Sequence, residues 1–440
     1  MASRRARQKS SSCACVSMDH TLLGKGGAAH RVDGSVEFCA SIVAKNRDRV
    51  NRHSAEFFYS AWKHTLPSCI LFHSLLNCSQ VMQPLNALSG GVFMPQKRAR
   101  DFGLTIGSLP CGPRNRITDV PGVTVGHQTI DTDRFKTGVT VVMPCPENPF
   151  FHKLPAAAFV LNGFGKTLGL MQLQELGMLE TPIALTNTLN VGLVHDALVG
   201  YMIDRCRRDG KDDLRSVNPI VCECCDGTLN DIQGRPVHRE HVLAAIAAAG
   251  EVFDEGDIGA GKGMICHGLK GGIGSASRVM TVDGQDYTLG VLVLTNHGRL
   301  ADLTIGGDHL GPALAEELAQ YAPDKGSCIV IAATDLPLDS RQLGRVVRRA
   351  SVGLARLGSY IGQGSGEVFL GFSTANPFDP RTETALRPGL LCSDDVLDLP
   401  FRAIAECTEE AVLNSLLTAH TVTGFQGRQI FRLTQFRDQF

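Results

Sequence analysis

The chain has 440 residues, 43 Lys and Arg against 44 Asp and Glu, 43% apolar residues, and 47 glycines beside 20 prolines. This length and apolar content suffice for one large or two medium domains and exclude an intrinsically disordered chain. A net charge of −1 gives no global attraction to nucleic acid or to an anionic membrane, and the glycine excess suits a loop-rich α/β enzyme with many tight turns.

The charge is uneven. Residues 1–93 hold 11 Lys and Arg against 5 acids, together with the only tryptophan, Trp62, and 5 of the 15 cysteines. They show no sustained period of 2 or 3.6, so we expect an N-terminal extension over 1–93, poorly ordered or targeting, outside a main domain over 94–440. Its start, MASRRARQKSSSCACVS, is Arg- and Ser-rich like an organelle transit peptide and lacks the apolar core of a secretory signal. Met94 would serve equally as the natural start of the compact domain. The apolar run from Cys69 to Leu76 is far too short to span a bilayer.

From Arg116 onward, short strands and helices follow one another. RITDVPGVTVGHQTI and the run from Thr137 to Pro144 are β-branched stretches broken by glycine, as strands joined by turns should be. AAAFVLNGFGK predicts a strand to Leu161 and a glycine turn over 162–165, before a helix with apolar positions Leu168, Met171, Leu173 and Leu176. PIALTNTLNVGLVHDAL repeats strand, polar turn and helix. NPIVCECCDG predicts a strand ending at the Asp226-Gly227 turn, and a helix from His238 would be closed by Gly250.

The second half is richer in continuous strands. A strand from Tyr287 ends at Asn296, a helix reads HLGPALAEELAQY, and CIVIAATD begins a strand at Cys328. Asp339 with Gln342 three residues on makes a capping box for a helix to about Leu357. GEVFLGFST from Gly366 is the last strong strand and AECTEEAVLNSLLTA from Ala405 the last helix. The alternation allows stacked sheets covered by helices, and no internal repeat is visible.

Several motifs fail on inspection. Gly256 to Gly263 satisfies G-x-x-x-x-G-K, but Gly263 stands where a P-loop needs Ser or Thr for magnesium, and no strand precedes it. The continuation, Met264 to Arg278, adds CHGLKGGIGSASR, whose glycines let backbones pass closely. Cys222, Cys224 and Cys225 form C-x-C-C with His238 too far on for a common zinc spacing, which favours scattered buried thiols in a reducing compartment. Ser365, in Gln363-Gly-Ser-Gly-Glu367, is not a G-x-S-x-G nucleophile elbow.

Gly326-Ser327 stands immediately before the apolar strand CIVIAATD. Taken alone it is an ordinary turn. Its chemistry is more suggestive, because glycine tolerates unusual dihedrals and a neighbouring hydroxyl can attack the preceding carbonyl in an N-to-O acyl shift. Hydrolysis of that ester would leave Ser327 as a new N-terminus with hydroxyl and amine side by side.

Here the resemblance becomes specific. RITDVPGVTVGH near Thr118, NGFGKTLGL, PIALTNTLNVG, ECCDGTLNDI, GMICHGLKGGIGSASR, GVLVLTNHGR, GSCIVIAATDLPL and GSGEVFLGFSTAN run in order from about residue 100 to 376. Together they resemble the DmpA/BapA family of self-cleaving aminopeptidases, the L-aminopeptidase/D-esterase and β-aminopeptidase group of N-terminal-nucleophile-like hydrolases. The resemblance implies an α/β fold, a four-layer α/β/β/α-like sandwich of the DmpA/ArgJ-like type, built by both halves of a chain cut into 94–326 (or 1–326) and 327–440. It implies autocleavage between Gly326 and Ser327, with Ser327 as nucleophile, Ser365 and Glu367 as its activating pair, and Asn296 as oxyanion donor. In an extended segment, positions i and i+2 project to one face, so a Ser327-Ser365-Glu367 relay is geometrically available.

Glu223, Cys225 and Asp226 are expected at the substrate. There Cys224-Cys225 replaces the larger polar or aromatic group expected before Asp-Gly, which makes that wall smaller or more apolar. The implied activity is release of N-terminal residues, β- or D-amino acids among them, from short peptides, amides or esters through an acyl-enzyme. The base is either the Ser327 α-amine or the Ser365/Glu367 pair. No metal or organic cofactor is required, and a homo-oligomer, a tetramer of cleaved protomers, is expected in the cytoplasm unless the leader directs it to an organelle. The alternatives are an amidase or acyltransferase of the same fold acting on non-peptide amides, and a catalytically inactive binding relic.

Overall fold

The computed structural model describes residues 96–319, 326–382 and 385–439. The expected extension over 1–93 and the alternative start at Met94 lie outside the described residues.

A four-stranded sheet has the order β1 (Thr124–Asp131), β2 (Lys136–Met143), β5 (Ile183–Asn187), β6 (Ile220–Cys224). A six-stranded sheet has the order β4 (Met178–Leu179), β3 (Leu154–Gly163), β12 (Gly366–Ser373), β11 (Ser327–Thr334), β10 (Gln285–Asn296), β9 (Ile273–Val282). Two-residue pairs β7 (Ile265–Cys266) with β8 (Leu269–Lys270), and β13 (Val422–Thr423) with β14 (Gln429–Ile430), lie apart. Each large sheet contains one parallel pair, β5 with β6 and β11 with β12; the remaining neighbours are antiparallel. A parallel pair needs a crossover. Helix α2 (Val191–Arg208) supplies it in the first sheet, and α5 (Ser340–Val347) with α6 (Ala350–Arg356) in the second.

The layers follow from side-chain alternation along the strands. Leu292 and Leu294 of β10, Ile329 and Ile331 of β11, and Val368 and Leu370 of β12 join Val142, Leu185, Ile220 and Cys222 in one core between the sheets. Their alternates Val291, Val293, Cys328, Val330 and Phe369 pack on α5, α6 and α7 (Asp398–Leu417). On the far side, Val139, Val141, Ala184 and Val221 pack on α2 and α3 (Arg239–Ala247). This is the four-layer α/β/β/α sandwich. Strands β11 and β12 are buried along their whole length, which explains why they read as unbroken apolar runs.

Some expected elements shift. The Asp339 capping box forms, with Gln342 N–H donating to the Asp339 carboxylate at 2.7 Å, but the helix divides into α5 and α6 rather than running unbroken to Leu357. In α1 (Leu170–Leu176) only Leu173 is buried; Met171 is 83% exposed, so its apolar spacing does not mark a core face. Helix α3 ends at Ala247, where the Ala248 N–H donates back to Ala244, and Gly250 instead bridges Val125 of β1. Helix α4 is described over Gly311–Glu317. The glycine-rich stretch acts as expected: a Cβ on Gly272 would lie 2.0 Å from the Gly256 carbonyl oxygen, and Lys262 pairs with Asp131 and Asp257.

Candidate active site

Asn296 closes β10, Ser327 opens β11 and Gly366 opens β12. The strand register sets Asn296 opposite Ser327 and Ser327 opposite Gly366, so all three stand at one end of the second sheet. The residues flanking Gly366 are Ser365 and Glu367, and the Ser365 hydroxyl donates to the Glu367 carboxylate. Both are fully buried, and Ser327 is 8% exposed. Ser327 and Ser365, separated by 38 positions in sequence, are thus gathered by one parallel strand pair.

Backbone closeness explains the glycines. A Cβ on Gly326 would lie 1.6 Å from the Asn296 carbonyl oxygen, an overlap no side chain survives. A Cβ on Gly366 would lie 2.4 Å from the Phe164 carbonyl oxygen and 3.1 Å from Ser327 Oγ, so glycine keeps the space beside that hydroxyl open. The Gly366 N–H donates to the Gly326 carbonyl at 3.1 Å. The carbonyl preceding Ser327 is therefore polarised and held.

Asn296 is fixed from two sides. Its Oδ1 accepts from the Ile265 N–H at 2.9 Å, and its Nδ2 donates to the Cys225 carbonyl at 3.0 Å. These contacts assign the amide orientation and leave the second N–H of Nδ2 for another acceptor. Behind Ile265, the buried Lys270 ammonium donates to the carbonyls of Gly261, Met264 and Gly271 at 2.7–2.9 Å. Burial pushes its pKa down to about 7 against the attraction of Asp257.

The three expected substrate residues separate. Cys225 is exposed and its carbonyl holds Asn296, while the buried Cys224 thiol approaches the Ser327 carbonyl at 3.5 Å. Glu223 is buried and accepts from the Lys166 N–H at 2.8 Å and from the Thr188 hydroxyl, tying the loop after β3 to the start of α2. Asp226 is fully buried, and its carboxylate accepts from Asn230 Nδ2 at 3.0 Å within its own turn. Burial raises its pKa to about 6 against hydrogen bonds from Thr137, Asn230 and Asn187. Burial also pushes the Cys222 thiol up to about 12 and Cys224 well above its ordinary value, as expected of inert core thiols.

Sequence reasoning assigned no role to Asn162. Its Nδ2 donates to the Ser365 carbonyl and to those of Gly362 and Gln363 at 3.0 and 3.2 Å, clamping the turn that presents Ser365. Asn162 lies in NGFGK, which reads as an ordinary glycine turn; only its pairing with Glu367 across β3 and β12 reveals the clamp. Phe164, 64% exposed, follows it at the rim beside Gly366.

Stacked sheets with a serine opening a central strand, an asparagine amide beside it and a Ser-Glu pair alongside define a serine hydrolase of the N-terminal-nucleophile type. Comparison with known proteins makes the class specific: residues 115–430 match the model of peptidase family S58, and the chain belongs to that family. It is 38% identical over 373 residues to the β-peptidyl aminopeptidase BapA of Sphingosinicella microcystinivorans, covering 79% of this chain and 92% of that protein. A β-aminopeptidase structure from Burkholderia superposes with a TM-score of 0.72 at 39% identity, covering 78% of this chain and 98% of that one. The L-aminopeptidase D-Ala-esterase/amidase of Ochrobactrum anthropi, described as a variant of the Ntn hydrolase fold, gives 0.73 at 36% identity, covering 78% and 97%.

Proposed function

We propose that this S58 hydrolase is a serine aminopeptidase that activates itself by cutting between Gly326 and Ser327, then releases N-terminal residues from short peptides, amides or esters. The observation that carries this reading is Ser327 at the first position of β11, between the Asn296 amide and the Ser365-Glu367 pair. In the first step Ser327 Oγ attacks the Gly326 carbonyl carbon, the C–N bond breaks, and the hydroxyl proton passes to the departing nitrogen. Water hydrolyses the resulting ester to the Gly326 carboxylate and regenerates the hydroxyl beside a new α-amine. The Gly366 N–H already on the Gly326 oxygen supports this step by stabilising the charge that develops there.

In turnover the same hydroxyl attacks the substrate carbonyl, the Asn296 N–H stabilises the oxyanion, the leaving amine takes the proton, and water clears the acyl-enzyme. The Ser327 α-amine, with a reference pKa near ~8, and the Ser365-Glu367 pair are the two groups that would accept the proton. The names of the relatives guide the substrate class: β-peptidyl, L-aminoacyl and D-Ala substrates are the first to try. The exposed Cys225 and the Phe164 rim favour small or apolar side chains at the mouth. The mature enzyme is proposed to be a homo-oligomer of cleaved protomers in the cytoplasm, with residues 1–93 dispensable for its chemistry. No described helix is long and apolar enough to cross a membrane.

The test is a panel of α-L-, β-homo- and D-aminoacyl p-nitroanilides with N-acetylated counterparts, assayed with and without an acceptor amine. Release of p-nitroaniline from free-amine substrates alone supports the aminopeptidase reading. Equal turnover of the acetylated compounds would replace it with a general amidase, and product appearing only with the acceptor would make it an acyltransferase.

A further inference from the structure

The loop that holds Asn296 carries a second cluster, which the proposed peptidase chemistry does not use. Cys266 and His267 follow Ile265, and His297 follows Asn296. One donor atom from each, the thiol sulfur and a nitrogen of each ring, lie within 4.8 Å of one another. The residues are 0%, 0% and 1% exposed. The two rings meet edge to face with centroids 5.5 Å apart, and the His267 N–H donates to the His297 carbonyl at 2.7 Å. The backbone therefore holds all three side chains together.

The ring nitrogens are arranged as ligands usually are. His267 Nδ1 lies 2.9 Å from the Arg299 carbonyl, which accepts only if that nitrogen carries the proton. Nε2 then keeps its lone pair, and a carbonyl on the other nitrogen is the common support of a metal-binding histidine. Both nitrogens of His297 are buried without a hydrogen-bond partner. A buried polar atom left so costs on the order of 1–3 kcal/mol, and such an orphan calls for an ion or a water.

We propose that Cys266 Sγ, His267 Nε2 and a ring nitrogen of His297 bind one zinc-class divalent cation. A thiolate with two imidazoles is a borderline-soft set that selects Zn²⁺ over Mg²⁺ or Ca²⁺ and leaves one position of the tetrahedron for a fourth donor. The thiol proton leaves to solvent on binding. The cation would tie the Ile265–Lys270 loop to the end of β10, bracing the Ile265-to-Asn296 hydrogen bond from behind. A Cys-His dipeptide followed by a histidine 30 residues on matches no common zinc spacing. The pairing arises only when the loop packs against β10, which is why the sequence pointed to no metal.

The test uses full-length protein expressed with Zn²⁺ or Co²⁺ in the medium and passed over a chelating resin. Metal analysis should find about one ion per chain. The Co²⁺ protein should show a thiolate-to-cobalt charge-transfer band and intense tetrahedral ligand-field bands, a readout that needs no variant. Cys266→Ser should abolish the charge-transfer band and His297→Gln should lower the metal content about tenfold or more, while the Cys392→Ser control keeps both signals. Folded wild-type protein without stoichiometric metal, a cobalt spectrum without a thiolate band, or full metal content in both Cys266→Ser and His297→Gln would each overturn the proposal. These outcomes are independent of peptidase activity.

Discussion

Two buried polar clusters of the second sheet, one on its edge strand β9 and one at the ends of β10, β11 and β12, differ in how completely they are paired. Around Arg278 of β9, Nε donates to Glu406 at 3.0 Å, Nη2 to Glu410 at 2.7 Å and to the Ile106 carbonyl at 2.6 Å, and Nη1 to the Ser277 carbonyl. The two glutamates are also engaged by Arg100, Asn115 and the N–H groups of Ser108 and Leu109. That cluster is a closed network stitching the segment before β1 to α7. At the strand ends, Asn296 is held by two contacts and keeps an N–H in reserve, and the Ser327 hydroxyl faces a space kept open by glycine. Complete pairing marks a polar cluster as structural, and reserved capacity marks one as chemical.

The largest expected effect that separates them falls on stability. Arg278→Met should lower unfolding free energy by about 3–5 kcal/mol, because it strands two buried carboxylates, while kcat of the folded, processed fraction stays within about twofold of wild type. A loss of kcat beyond that would erase the distinction. In contrast, Asn296→Ala should reduce kcat by about 10²–10³ with a midpoint in denaturant close to wild type, measured on cut protein only. Turnover near normal would return the oxyanion role to backbone N–H groups alone.

Glu367→Gln should keep some self-cleavage and slow turnover by roughly 10², the scale of lost general-base assistance. Self-cleavage cannot use the Ser327 α-amine, which is still part of the peptide bond, whereas turnover can. Near-normal kcat in processed Glu367→Gln would leave the free amine as sole base.

The smallest effect concerns Asp226 and pH. Its folded pKa of about 6 lies above the unfolded value of 3.8, so the stability it adds is fully present below the unfolded pKa and is lost as pH rises through 6. Asp226→Asn should therefore gain on wild type by roughly 2–3 kcal/mol between about pH 4 and 7. Parallel pH profiles from chemical denaturation would show that the carboxyl is no more buried than in the unfolded chain.

What could be read from the sequence tracks local physics. Strands β10, β11 and β12 announce themselves as apolar runs because both faces are covered, whereas Asn296 and Ser327 at the ends of those runs read alone as turn residues and are singled out only by the family resemblance. The Asp339-Gln342 box is legible because capping is local. Asn162, the Cys266-His267-His297 cluster and the buried state of Asp226 are not, since each depends on which loop meets which strand end. Met171 misleads for the converse reason: helical spacing of apolar residues does not say whether anything covers them.

The central claim is that Ser327 becomes an N-terminal nucleophile through its own attack on Gly326. The most direct measurement is the intact mass and N-terminal sequence of the purified wild type beside Ser327→Ala. The account expects wild type as two chains, the second spanning residues 327–440 and beginning Ser-Cys-Ile, and Ser327→Ala as one uncut, inactive chain. A fully active wild type that remains a single chain, or a second chain beginning at any other residue, would contradict it.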